Sequence, residues 1–131
     1  MYSDLLLDHF EHPRNVGELA APAVTVDASN PACGDTLRLS VRLEAGRAAA
    51  VRYKVRGCTA SIAAGSALTE WISGKTVEQL AGFEASFVEQ AVGGLAAESK
   101  HAAVLCADAV KLLLKRWAQA GATFPQPTVR R

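Results

Sequence analysis

Apolar and polar residues alternate with a period of two through the first half of the chain and change to helical spacing in the second. Val24 and Val26 begin the alternation, which resumes as Leu37, Leu39, Val41 and Leu43, and again as Val51, Tyr53 and Val55 interleaved with Arg52, Lys54 and Arg56. Successive side chains of a strand face opposite ways, so each run reads as a strand with one buried side. Glu44-Ala45-Gly46-Arg47 supplies the turn between the second and third runs, and an antiparallel meander follows. Ahead of the strands, Leu5, Leu6, Leu7 and Phe10 can share a buried helical face, with His12-Pro13 ending that helix and Pro13, Asn15 and Gly17 forming a loop. From Cys58 a helix of small residues runs through Trp71 and stops at Ser73-Gly74. Thr76 then serves as N-cap with Gln79 completing a capping box, and shorter helices reach about Val92 before Gly93 and Gly94 interrupt them. The last long helix starts near Ser99, with Val110, Leu113, Leu114 and Trp117 on its buried face, and ends before Gly121. Strands first and helices after predict an α+β fold. It is a three-stranded antiparallel sheet with helices packed on one face and a long C-terminal helix, a single domain over 1–120 with a frayed tail over 121–131.

Composition narrows the class. The chain has 131 residues, half of them apolar, and a formal net charge of +1. One core of that size needs no disulfides, and the balanced charge argues against a basic-patch nucleic-acid binder. No stretch approaches the roughly 20 apolar residues that span a bilayer, and the acidic start does not look like a secretory signal. A cytoplasmic protein is expected, and in that reducing compartment its three cysteines are ligands, nucleophiles or core residues rather than disulfide partners.

Each cysteine has its own setting. Cys33 lies in the loop Asn30-Pro31-Ala32-Cys33-Gly34-Asp35, where Pro31 stiffens the approach and Gly34 lets the backbone come close to whatever the thiol holds. Cys58 follows Gly57 at the end of the third strand and opens a helix whose positive end favours a thiolate, and so metal binding or sulfur chemistry. Cys33 precedes the second strand and Cys58 follows its antiparallel neighbour, so both thiols fall at the same end of the hairpin. Asp35 can lend a carboxylate oxygen to the same ion or serve as a turn or cap residue. His101 can add an imidazole or stand as a surface histidine at a helix start. Cys106, farther along that helix, shares a stripe with Val110, Leu113 and Trp117, which suits core packing, and a face with Ala102, from which it could reach a site at the helix start.

Four stretches in order carry a family resemblance: Tyr2-Ser3 through Asp8-His9 with His12-Pro13-Arg14-Asn15-Val16-Gly17; the Asn30 to Asp35 loop; Gly57-Cys58-Thr59-Ala60-Ser61-Ile62-Ala63-Ala64-Gly65-Ser66 on to Thr69-Glu70-Trp71; and Lys100-His101 ahead of Val104-Leu105 and Asp108-Ala109-Val110. From about Tyr2 to Trp117 the chain resembles the IscU/NifU-type iron-sulfur cluster assembly scaffolds. The resemblance implies one exposed site of three cysteines with a nearby Asp and His, holding iron as a [2Fe-2S] cluster or zinc as a resting metal. It also implies a cysteine desulfurase as sulfur donor, recipient apoproteins, and a carrier's role rather than an enzyme's. By position Cys33, Asp35 and Cys58 match family ligands and His101 matches the family histidine. The family's third cysteine directly follows that histidine, where this chain has Ala102; either Cys106 replaces it from one turn deeper or the third thiolate is missing. A step of four helical residues turns the side chain by about 40° and raises it about 6 Å, so replacement requires the helix or the ion to shift. Ala96-Ala97-Glu98-Ser99-Lys100 stands where many such scaffolds carry a chaperone-docking Leu-Pro-Pro-Val-Lys segment, which argues against chaperone docking. Within these 131 residues there is neither the insertion typical of the zinc-bearing sulfur-acceptor branch nor the cysteine-rich domains of full-length NifU, so a single-module version is expected. Rival readings are a zinc-dependent sulfur acceptor that activates a desulfurase, a degenerate scaffold serving as an interaction or regulatory module, and a Cys-His hydrolase using Cys58 and His101, for which no oxyanion or acyl-pocket signature appears.

Overall fold

The computed structural model describes residues 2–31 and 34–120, so Cys33 and the expected tail lie outside the described residues. The elements run α1 (Asp4–Glu11), β1 (Val24–Ser29), β2 (Thr36–Glu44), β3 (Arg47–Arg56), α2 (Thr59–Ile72), α3 (Val77–Ala81), α4 (Ala85–Ala91), a 3-10 turn (Ala97–Ser99) and α5 (His101–Ala120). The strands pair antiparallel in the order β1-β2-β3. Ala45 and Gly46, at φ of 53° and 79°, make the two-residue turn that joins β2 to β3. α5 lies against β1 and β2, and α2 against β3 and α5, which forms the layered architecture expected from the pattern.

The core sits between sheet and helices. Leu37, Leu39, Val41, Val51 and Tyr53 meet Ala60, Ala64, Leu68 and Ile72 of α2 and Leu105, Val110, Leu113 and Trp117 of α5. Small residues let α2 come close. A Cβ added at Gly65 would stand 2.5 Å from the Tyr53 ring, and the Tyr53 hydroxyl donates to the Ile62 carbonyl at 2.8 Å. The capping box at Thr76 and Gln79 is present in both directions.

α1 departs from expectation. Leu6 is buried, while Leu5 is 54% and Phe10 36% exposed. The inward face instead pairs Leu6, which packs with Ala63 and Ala67 of α2 and with Val92, with His9, around which a polar cluster adds to the hold on α2. His9 Nδ1 meets Ser66 Oγ at 2.8 Å, the Arg14 backbone N–H donates to the same oxygen at 2.9 Å, and the Arg14 side chain bridges to Asp8 at 2.6 Å and to Glu70 at 3.6 Å.

What the fold does for chemistry is fixed by one register. Thr36 at the start of β2 pairs with Arg56 at the end of β3. The residues just before Thr36 and just after Arg56 therefore share one end of the hairpin, and the start of α5 arrives at the same end.

Candidate metal centre

Asp35, Cys58 and His101 come together there, with one ligand atom from each lying within 4.8 Å of the others. Asp35 is held by a tight connection in which the Gly34 N–H donates to the Asn30 carbonyl at 2.7 Å and the Asn30 N–H donates to the Asp35 carbonyl at 2.9 Å. Gly34 sits at φ +80° with open space where a Cβ would go, so a glycine suits the left-handed turn. Close approach belongs to Gly57. A Cβ there would lie 2.5 Å from Asp35 Cγ, which explains why glycine precedes Cys58.

Cys58 is the N-cap of α2 and has no side-chain cap hydrogen bond, since sulfur is a weak acceptor. Asp35 supplies the cap from the neighbouring loop. Its Oδ2 accepts from the Cys58 backbone N–H at 3.4 Å and from the Ser61 hydroxyl at 2.6 Å, close to the positive end of the helix. Burial pushes the Asp35 carboxyl up, but the hydrogen bonds from Ser61 and Cys58, with His101 nearby, more than offset it and hold the group below the usual carboxylate range. Asp35 thus acts as a cap, and the same Oδ2 lies 3.4 Å from His101 Nε2.

His101 Nδ1 lies 3.1 Å from the Glu98 carbonyl, an oxygen that only accepts, so Nδ1 is the donor and in the neutral ring Nε2 carries the lone pair. That lone pair looks at two electron-rich atoms, Cys58 Sγ at 3.5 Å and Asp35 Oδ2 at 3.4 Å. The Cys58 S–H can donate to that lone pair, and a metal ion that replaced its proton would find sulfur, nitrogen and oxygen donors side by side. Ligands at about 2.3 Å for sulfur and about 2.0–2.2 Å for nitrogen and oxygen around a tetrahedral ion stand roughly 3.3–3.6 Å apart. The two separations from His101 Nε2 fit those edges, and all three donor atoms lie within 4.8 Å of one another. Asp35 is buried, whereas Cys58 and His101 are partly open, so an ion could enter and leave. One sulfur, one nitrogen and one oxygen form a borderline donor set suited to zinc or iron.

Cys106 does not join this group. It is 1% exposed in the main core, on the stripe that carries Ala109 and Leu113, and one helical turn beyond Ala102 has carried it along α5 away from the helix start. Burial pushes its thiol up to about 12, so it stays protonated at neutral pH, whereas a metal binds the thiolate. Ala102 itself is fully buried. Ser61 is the participant that the sequence reading missed. Its only signal is position, three residues after the Cys58 cap, where a side chain faces the helix start.

The NifU-like N-terminal domain model matches residues 1–122. The chain belongs to the NifU-like N-terminal domain family. Relatives within the family's reach include the iron-sulfur cluster assembly scaffold protein IscU 1 of Archaeoglobus fulgidus, 36% identical over 85% of this chain and 72% of the relative. The IscU scaffold protein of Azotobacter vinelandii is 36% identical over 87% and 91%. A Drosophila melanogaster relative, 32% identical, is named an iron-sulfur cluster assembly enzyme. The NifU-like N-terminal domain of Brucella abortus shares the fold at a TM-score of 0.71 with 18% identity, covering 89% of this chain and 94% of that one. Among the described residues no helix is long and apolar enough to cross a membrane.

Proposed function

We propose that this chain is a scaffold on which an iron-sulfur cluster is assembled and from which it is handed on, with no turnover chemistry of its own. The observation that carries the reading is the convergence of Asp35, Cys58 and His101 at one partly open end of the sheet. The scaffold names of its relatives support it. The cluster is cargo. Cys58, with Cys33 from the adjoining loop, supplies thiolates to iron, while Asp35 and His101 supply the harder donors. A mixed set of this kind grips a cluster less firmly than four thiolates do, which suits a protein that must release what it builds. In this reading the cluster is of the [2Fe-2S] type, a cysteine desulfurase delivers the sulfur, and apoproteins receive the product. The domain spans 1–120 and works in the cytoplasm, where its thiols stay reduced.

Anaerobic reconstitution with ferrous iron and sulfide tests it. Visible charge-transfer bands should appear in the wild type and vanish in Cys58→Ala; a wild type without bands, or bands undiminished by the substitution, would contradict the proposal. The donor group also favours a second reading, a single zinc ion in a sulfur-acceptor role, because three different donors within 4.8 Å of one another need only one ion. Protein that purifies with one zinc per chain and refuses iron would support that reading over the first.

A further inference from the structure

Ser61 is 2% exposed, and its hydroxyl has one proton to give. That proton goes to Asp35 Oδ2 across 2.6 Å, while the oxygen lies 3.5 Å from Cys58 Sγ. Ser61 therefore touches both groups that flank His101, and it does so from the third position of the helix that Cys58 caps. In an ordinary capping box the cap side chain and the third residue satisfy each other's backbone N–H groups. Here neither side chain does so. Cys58 makes no cap bond, and Ser61 spends its hydroxyl on a carboxylate from another loop, which in turn accepts the Cys58 N–H. The helix start and the donor group are one hydrogen-bonded unit, with Gly57 closing its remaining side.

We propose that Ser61 is a positioning residue for metal binding: its short bond fixes the orientation of the Asp35 carboxylate, which stands with Oδ2 3.4 Å from His101 Nε2. The inference rests on the metal-site reading above. Buried at the helix start, an unrestrained carboxylate has a choice of rotamers and oxygens; the short bond from Ser61 removes that choice before an ion arrives. Partners that orient a ligating carboxylate in this way are worth about 10- to 100-fold in affinity.

The test uses zinc and cobalt(II) as probes on the full chain. Zinc affinity is measured by competition with a chromophoric chelator in wild type, Ser61→Ala, Ser61→Thr, Asp35→Ala and the Ser61→Ala/Asp35→Ala double variant. Ser61→Ala should weaken zinc about 10- to 100-fold. Ser61→Thr, which keeps the hydroxyl, should restore most of that loss. On the Asp35→Ala background Ser61→Ala should cost nothing further, because its action passes through the carboxylate. With cobalt(II), Ser61→Ala should shift the d–d bands while the sulfur-to-metal charge-transfer band of Cys58 persists. Equal losses from Ser61→Ala with and without Asp35 would show a general packing role and overturn the proposal, as would unchanged affinity. A wild type that binds neither zinc nor cobalt would overturn the metal-site reading and this inference together.

Discussion

His9 and His101 each sit beside a carboxylate and within a cluster that includes a serine of α2: Ser66 and Glu70 for the first, Asp35 and Ser61 for the second. Around His9 every role is filled. Nδ1 receives from the Ser66 hydroxyl and from Arg14, and Nε2 points its proton at Glu70 Oε1, 3.6 Å away. Around His101 the ring proton goes outward to the Glu98 carbonyl, and the lone pair turns inward on a thiol and a carboxylate. The same residue types thus give a clasp in one place and a donor set in the other. What separates them is where the imidazole proton is sent, and whether a cation such as arginine already occupies the middle.

The largest expected contrast comes from exchanging the two losses. His101→Ala should cut zinc affinity by at least about 100-fold, more than an outer partner would, while leaving the melting temperature of the metal-free protein nearly unchanged. His9→Ala should do the reverse, costing about 2–4 kcal/mol of stability through an emptied buried site and unpaired groups, with metal affinity intact. Chelator competition and denaturant unfolding on the same two variants check this, and a metal defect in the His9 variant would break the distinction. Ser66→Ala should show a smaller version of the clasp effect, about 1–3 kcal/mol, because His9 Nδ1 and the Arg14 N–H lose their shared oxygen.

Acidity sharpens the comparison further. Burial, then the Arg14 charge, holds the His9 pKa below its ordinary value of 6.5. The unfolded chain therefore binds a proton that the folded chain refuses. The stability from neutral His9 is fully present above about 6.5 and is lost as the pH falls from there through the folded-state pKa. Unfolding free energy measured between neutral and mildly acidic pH should fall in the wild type and fall less steeply in His9→Gln; identical slopes would remove His9 as the cause. The smallest effect belongs to Cys106→Ala. It should leave metal binding untouched and cost on the order of 1 kcal/mol, the toll of a small cavity in the core.

Much of this architecture was readable from residue patterns because the decisive forces were local or periodic. The alternation through Leu37–Leu43 and Val51–Val55, the Ala45-Gly46 turn and the Thr76/Gln79 box each encode their element in adjacent residues. Antiparallel pairing alone then put Asp35 and Cys58 at one end. α1 was legible only in part for a physical reason: Leu6 is buried as its pattern suggests, but burial of His9 depends on Ser66, 57 residues away, and Leu5 and Phe10 stay exposed. Cys106 stayed open in the sequence because its role turns on the rotation of α5 against the sheet, which only packing sets. Ser61 was hidden among small helix residues, since its partner comes from another loop. The Cys33 thiol lies outside the described residues, and its share in the site remains part of the proposal.

The central claim is that Cys58, His101 and Asp35 bind one ion, and zinc-edge X-ray absorption of the protein loaded with one equivalent of zinc tests it most directly. The account predicts a sulfur shell at about 2.3 Å together with nitrogen and oxygen at about 2.0–2.2 Å, the imidazole contribution disappearing in His101→Ala and persisting in His9→Ala. A zinc environment without sulfur, or one that His101→Ala leaves unaltered, would contradict it.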